Sequence, residues 1–293
     1  MNQLSTMKLR GKLTLLGLTI IIWLSISSAS VLVRLSGASA ETCAFWRLLF
    51  SLIILFTLLK IKNNHGYTSG YTIHHFIAGF ALAMHFLVWM HSLFLIPIYT
   101  STLLVTLYPI YSLIIEVVVF SRKPRVIQVA GLILASILLG VYLGVSDIGF
   151  NLGVFEALLG GVFAAIYFVA GYHVRSRLKE PTTIYAIKVY STATLITGVV
   201  SVASGVEIIP KSISTIVYLV LLAVIPMILG HTLMNYLLGK YPASIVSSIS
   251  FGEPYGAGLL AYILLGESVS IQQLILGSII LLVVFTTIVK SSE

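Results

Sequence analysis

The second half of this chain repeats the first half at an offset of about 145 residues. The clearest markers are residue pairs 145 or 146 positions apart: His85 and His231, Pro97 and Pro242, Pro109 and Pro254, Gly131 and Gly277. These markers lie in or beside long apolar stretches. The chain must therefore fold into two equivalent halves, each built from segments long enough to cross a bilayer.

The composition requires lipid as the solvent for most of the chain. The sequence is 58% hydrophobic and 9% charged, whereas soluble domains are about 45–50% apolar and about 25% charged. A helix crosses the hydrocarbon core with about 20 apolar residues. The segments are apolar on all faces and do not alternate, which favours helices over barrel strands. Windows of that length predict ten spans: 12–33, 43–60, 74–96, 99–121, 126–146, 152–174, 183–205, 213–238, 241–266 and 271–290.

Each half of the chain contains five predicted spans. We place the boundary after Ser146, which gives two domains, 1–146 and 147–293. Because five is odd, the second half enters the membrane from the opposite face. The sequence therefore predicts an all-α integral membrane fold of ten transmembrane helices in two inverted five-helix repeats, an architecture frequent in secondary transporters.

The basic residues sort by side of the membrane. Outside the span interiors, thirteen fall on one side and only Arg34 and Lys211 on the other. The majority side holds Lys8, Arg10, Lys12, Lys60, Lys62, Arg122, Lys123, Arg125, Arg175, Arg177, Lys179, Lys240 and Lys290. The positive-inside rule then predicts a multi-pass protein of the cytoplasmic membrane with both termini in the cytoplasm.

The sequence disfavours two other interpretations, a nucleic-acid partner and a cleaved signal peptide. The basic charges are spread over separate loops, so the net charge of +8 does not indicate a nucleic-acid partner; the bilayer is the expected environment. The first apolar run is also longer than the apolar core of a signal peptide, although Ala38–Ala40 resembles a cleavage site. We therefore expect an uncleaved first helix.

Strongly polar side chains within the spans are candidates for a site, because they are costly at bilayer depth. His85 and Trp89 share one face of span three, and His231 and Asn235 have the same spacing on its repeat counterpart, span eight. We expect these faces to meet, although either histidine could instead be structural and bond a backbone carbonyl. Glu253 lies near the midplane, where a carboxyl needs a proton or a cation. It could couple protons, contact a substrate amine or hold a kink.

Three further residues have weaker claims to the site. Arg47 and Lys188 lie near the ends of spans two and seven, so extension to the interface is the leading explanation. The alternative is that they hold a carboxylate or a phosphate. Tyr108 could add a hydrogen-bonding aromatic wall. His74 and His75, at the start of span three, are expected to be solvated.

Prolines interrupt three of the predicted spans. Pro109, Pro226 and Pro254 each fall inside a span, where proline removes a backbone hydrogen bond and kinks a helix. The freed carbonyl needs protein or water, which favours a position beside a cavity. The paired positions of Pro109 and Pro254 favour hinges, whereas simple shaping of helix packing is the alternative.

The chain contains no enzyme motif. It has no glycine-rich phosphate loop, no Cys-x-x-Cys and no His-Glu-x-x-His. An intramembrane metal site on His85, His231 and Glu253 is the one enzymatic alternative. We expect no enzyme, no cofactor and no metal, and no motif indicates an oligomeric state.

These residues also carry a resemblance that covers essentially the full chain. The matching motifs are Ile22-Trp23, Ala44-Phe45-Trp46-Arg47, His85-Phe86-x-x-Trp89-x-x-Ser92-Leu93, Pro226 with His231-x-x-x-Asn235, and Glu253-Pro254 with Leu264-Leu265-Gly266-Glu267 and Gly277. The chain resembles the EamA family of the drug/metabolite transporter superfamily. The resemblance implies two inverted five-helix repeats around a central cavity for small polar metabolites, and members with assigned roles often export amino acids or related metabolites.

The chain departs from the family pattern at one place. The Gly-Glu that typically ends span four is replaced here by Ser121-Arg122. Glu267 then has no counterpart in the first repeat, and its position at a helix end suggests a capping role rather than a role in transport.

The leading hypothesis is a secondary transporter or facilitator that exports a small polar metabolite, in the first place amino acids or related compounds, by alternating access. Its cavity would be lined by spans one, three, four, six, eight and nine. Proton coupling and facilitated diffusion are both compatible with the sequence. The alternatives are a flippase for lipids or polyprenyl phosphates, a transporter of phosphorylated metabolites, and a receptor or scaffold that transports nothing.

Overall fold

The computed structural model describes residues 3–61, 70–119 and 125–292. Every regular element in these residues is a helix, and the helical segments follow the ten predicted spans in order. Spans one, four, six, eight and nine consist of more than one helical piece. From span one to span ten, the bounds are Gln3–Ser27 with Ala29–Ser36, Ala40–Ile61, Ile73–Ser92, Ile98–Val105 with Tyr108–Val119, Val126–Val145, Leu152–Tyr172 with His173–Arg177, Thr182–Ala203, Ile213–Leu222 with Ala223–Thr232 and Leu233–Leu238, Ala243–Ser247 with Ser248–Gly252 and Glu253–Leu265, and Ile271–Ser292.

The lengths of these helices agree with a membrane fold. In the described part of the chain, eight segments are long and apolar enough to cross a bilayer, and Ile271–Thr287 is a shorter apolar one. Span nine is broken into short pieces. The prediction of an all-α fold of ten helices is thus confirmed.

The packing of the helices follows the repeat. Span three packs against span six, and the equivalent spans eight and one pack against each other. Spans two and seven, four and nine, and five and ten each pack against their own counterparts in the other repeat. These contacts between the halves are the pattern expected of two inverted repeats, and they bring spans one, three, four, six, eight and nine together at the centre.

The break in spans four and nine differs from the predicted mid-helix kink. Span four is interrupted at Thr106 and Leu107 and resumes at Tyr108. Span nine passes through a tighter 3₁₀ segment, Ser248–Gly252, before a new α-helix begins at Glu253. Pro109 and Pro254 are therefore the second residues of new helices. At that position a backbone N–H would have no acceptor within the helix, so its absence costs no hydrogen bond. Each span is two half-helices joined at bilayer depth.

Pro226 is accommodated in another way. It lies in a widened π-helical segment, Ala223–Thr232, in the middle of span eight. Hydroxyl groups satisfy two carbonyls of this segment: Ser51 donates to Ala223 at 3.3 Å, and Thr232 donates to Met227 at 3.1 Å. Such widened turns often occur at functional sites, and this one carries His231.

Some sequence predictions fall outside the described residues. These are the basic residues Lys62, Arg122 and Lys123 and the replacement of Gly-Glu by Ser121-Arg122.

Candidate functional site

A small cavity lies at the centre of the bundle, where the two repeats meet. Its walls come from seven spans, and the space open to the centre of a water molecule is about 20 Å³, enough for about one water. The lining residues are Ile26, Ala29, Arg47, His85, Trp89, Val105, Tyr108, Phe168, His231, Met234 and Glu253. All six spans predicted to line a cavity contribute, and span two adds Arg47. A metabolite could occupy this space only if the helices moved apart.

His85 is fixed by the close approach of spans three and six. A Cβ atom on Gly160 would lie 3.0 Å from the Cβ of Trp89, so glycine permits this contact. At this short separation, His85 Nδ1 donates to the carbonyl of Gly160 at 2.9 Å, and its ring stacks on Trp89 at 5.7 Å between centroids. The bond agrees with the structural alternative for this histidine, but the ring still lines the cavity.

His231 faces His85 across the cavity, as the repeat predicted. The two ring centroids are 6.2 Å apart. The rings of His231 and Phe86 also pack edge to face, with 5.3 Å between their centroids. Nδ1 of His231 has no hydrogen-bond partner among the described residues. The centre of the protein thus holds a buried polar nitrogen surrounded by aromatic rings.

Asn235 does not line the cavity, contrary to the prediction. Its side-chain carbonyl accepts from the Tyr167 hydroxyl at 2.8 Å, and its amide donates to the Tyr190 hydroxyl at 3.3 Å. These bonds hold it in the packing between spans six, seven and eight. Asn235 lies about one helical turn beyond His231, where the hydroxyls of Tyr167 and Tyr190 rather than the cavity are its neighbours.

Arg47 does not extend to the membrane interface, so this expectation is also wrong. The side chain is fully buried, because its face of span two packs against spans three, seven and eight. The guanidinium carbon lies 4.2 Å from the centre of the Phe86 ring, in a cation–π contact. None of its three nitrogens has a hydrogen-bond partner among the described residues.

Glu253 and Tyr108 occupy equivalent positions, each at the start of the second half-helix of its span. Both are buried and line the cavity, and Tyr108 stacks on Phe168 at 5.4 Å. Glu253 and Arg47 are close enough to interact electrostatically. The cavity therefore has an acidic and a basic side chain within one aromatic enclosure.

Lys188 belongs to a separate cluster near the first residues of spans three and seven. Its Nζ contacts Glu180 at 2.5 Å and the carbonyl of Gly70 at 3.0 Å. His75 Nε2 donates to the other oxygen of Glu180 at 2.6 Å. His75 is buried rather than solvated, because Glu180 provides this partner. Lys188 is therefore not part of the cavity.

The sequence did not predict the apolar residues of the cavity wall. Ile26, Ala29, Val105, Phe168 and Met234 line the cavity, but in a chain that is mostly apolar nothing distinguishes them from lipid-facing residues. The polar and repeated residues were distinguishable, and six of the eight predicted contacts lie at the cavity.

Comparison with known proteins supplies a family. The sequence model of the EamA-like transporter family matches residues 9–145 and again 151–289. No curated protein matches the chain. A solved structure titled "Crystal structure of protein" shares the fold, with a TM-score of 0.69 and 16% sequence identity over 95% of this chain and 97% of that one.

Proposed function

The chain belongs to the EamA-like transporter family, and from that premise we propose that it exports amino acids or closely related zwitterionic metabolites through the central cavity. The family and the apolar helices make it a multi-pass integral membrane transporter of small molecules. The substrate, the direction and the placement of both termini in the cytoplasm are parts of the proposal.

One observation carries the choice of substrate. Arg47 and Glu253 both line the cavity, and the guanidinium of Arg47 has no hydrogen-bond partner among the residues described. An α-amino acid bears a carboxylate that matches a guanidinium fork and an ammonium that matches a carboxylate. The rings of Trp89, Tyr108 and Phe168 would enclose its side chain.

The closed cavity supports an alternating-access cycle. Space for about one water molecule cannot hold an amino acid, so the binding geometry must form as the helices separate on one side. The breaks in spans four and nine divide these spans beside Tyr108 and Glu253. They therefore provide places for such movement, with Pro109, Pro226 and Pro254 as the proposed hinge residues.

The unpartnered guanidinium also favours a second candidate, a transporter of phosphorylated metabolites, because arginine binds phosphate as readily as carboxylate. The flippase hypothesis receives less support. It needed a basic patch for a lipid headgroup, which Arg47 and Lys188 could have supplied, and Lys188 is bound to Glu180 instead.

The first test is transport of labelled amino acids by the purified protein in liposomes, with and without an imposed proton gradient. We expect flux of one class of amino acid. Glu253→Gln and His231→Ala should each lower the flux about tenfold or more. The first variant loses a charged hydrogen-bond partner for the substrate ammonium, and the second widens the cavity where His231 now forms its wall. A flux raised by the gradient and made insensitive to it by Glu253→Gln would support proton coupling.

The matched control is Glu207→Gln, because Glu207 pairs with Lys211 in an exposed position. This variant should transport like the unaltered protein. If both cavity variants also transported normally, the site assignment would be wrong. If no amino acid moved at all, the amino-acid proposal would be rejected and phosphorylated metabolites and lipid headgroups would be tested next.

A further inference from the structure

A carboxylate joins spans four and nine near one end of the pair. Oε2 of Glu267, just after span nine, accepts from the backbone N–H of Ile98, the first residue of span four, at 2.9 Å. Oε1 of Glu267 lies 3.4 Å from Nη1 of Arg34, at the end of span one. The capping role expected of Glu267 is confirmed, although the helix it caps is span four rather than its own.

A second carboxylate joins the same two spans near their other end. Oε1 of Glu116, in span four, accepts from the backbone N–H of Ala243, the first residue of span nine, at 2.9 Å. Oε2 of Glu116 accepts from the hydroxyl of Ser244 at 2.8 Å. Each span therefore caps the start of the other, although the two glutamates are not at equivalent positions of the repeat.

The two contacts connect different half-helices. Glu267 joins Ile98–Val105 to the end of Glu253–Leu265, whereas Glu116 joins Tyr108–Val119 to Ala243–Ser247. The cavity lies between them, at the breaks. Because the breaks separate the half-helices, one contact can open while the other remains formed, as in hinged domain movement.

We propose that these contacts are the two latches of the transport cycle. The outer latch is Glu267 with Ile98 and Arg34, and the inner latch is Glu116 with Ala243 and Ser244. Release of one latch opens the cavity to that side. This inference rests on the proposed function, and the words outer and inner follow the proposed orientation.

Opposite effects of the two glutamates are the signature of this arrangement. The outward-open and inward-open states compete for one population, so weakening one latch favours opening on its own side and disfavours the other. A purely structural role would loosen the bundle without a preferred side.

Two buried serines offer matched reporters of opening. Ser30 lies next to Ala29 in the outer half of span one, and Ser112 lies one turn beyond Tyr108 in the inner half of span four. Neither hydroxyl has a partner within the described residues. Cys43 is the only cysteine, so Cys43→Ala provides a background for Ser30→Cys and Ser112→Cys.

The experiment is the rate of maleimide labelling at each reporter in detergent-purified protein. We expect Glu267→Gln to raise labelling at Ser30→Cys about tenfold, from loss of a charge-assisted bond, and to lower labelling at Ser112→Cys. Glu116→Gln should do the reverse. The double variant Glu116→Gln/Glu267→Gln should return the ratio of the two rates towards its original value.

The control is Glu156→Gln, because Glu156 bonds His91 at 2.8 Å between spans three and six. It should leave the ratio of labelling rates unchanged. If Glu116→Gln fails to fold, Ser244→Ala removes one of the two inner bonds and should shift the ratio in the same direction, by less.

Equal changes at both reporters, or none, would overturn the latch proposal. Labelling needs no substrate, so the two proposals can fail separately. Opposite shifts in a protein that moves no metabolite would reject the proposed function and keep the latches. Normal amino-acid flux with unshifted labelling would reject the latches and keep the proposed function.

Discussion

Replacing Arg47 with methionine is expected to stabilise the protein and to abolish its binding of anionic or zwitterionic substrates. The guanidinium is fully buried without a hydrogen-bond partner in the described residues, and the desolvation of one buried ion costs several kcal/mol, of which the electrostatic interaction with Glu253 returns a part. The cation–π contact with Phe86 opposes this gain by about 0.5–2 kcal/mol. A higher unfolding temperature of the methionine variant would mean that Arg47 is held at the cavity for its chemistry rather than for stability.

The measurements are thermal unfolding in detergent and binding of the transported amino acid. Arg47→Lys is the matched control: it keeps the charge but loses the planar fork, so it should weaken binding without raising the unfolding temperature. A methionine variant that was less stable and still transported would show that the guanidinium is structural, and the anion site would be withdrawn.

Lys188→Met is expected to destabilise the protein and to leave transport per folded molecule unchanged, the opposite of the effects expected for Arg47→Met. The Glu180 side chain is 2% exposed and accepts from both Lys188 and His75. Removing the cation from a buried pair typically destabilises by about 3–5 kcal/mol, and the 16% exposure of Lys188 points to the lower end of that range. Transport per folded molecule should be unchanged, because Lys188 does not line the cavity.

Unfolding and flux of the same preparations would check this prediction. Adding Glu180→Gln to Lys188→Met removes the buried carboxylate that has lost this cation, so the double variant should recover part of the lost stability. A Lys188→Met protein with normal stability but little flux would place Lys188 in the substrate path and revive the basic patch of the flippase hypothesis.

The sequence predicted what depends on repetition and length. The ten spans follow from apolar windows, and the meeting of His85 and His231 follows from their equivalent positions in two inverted halves. Glu253 was placed by its depth in span nine. These inferences need only the number of spans and the direction in which each one runs.

The errors concern properties that depend on packing. Arg47 and Lys188 looked alike in the sequence, but one is enclosed against Phe86 and the other reaches Glu180, a residue in the loop before span seven. Asn235 was misplaced because its partners, Tyr167 and Tyr190, lie 68 and 45 residues away in the sequence. The partner of Glu116 could not be foreseen either, since it lies 127 residues away.

The packing of spans of one half against spans of the other means that the central cavity belongs to neither half alone. Two identical five-span chains assembled in opposite directions could build the same framework, but every wall residue would then occur twice. Such an assembly would place either two tyrosines or two glutamates where Tyr108 and Glu253 now lie. Covalent joining of the halves permits one of each, so the pocket can have an acidic side and a neutral side, and a bound molecule can have a single preferred direction.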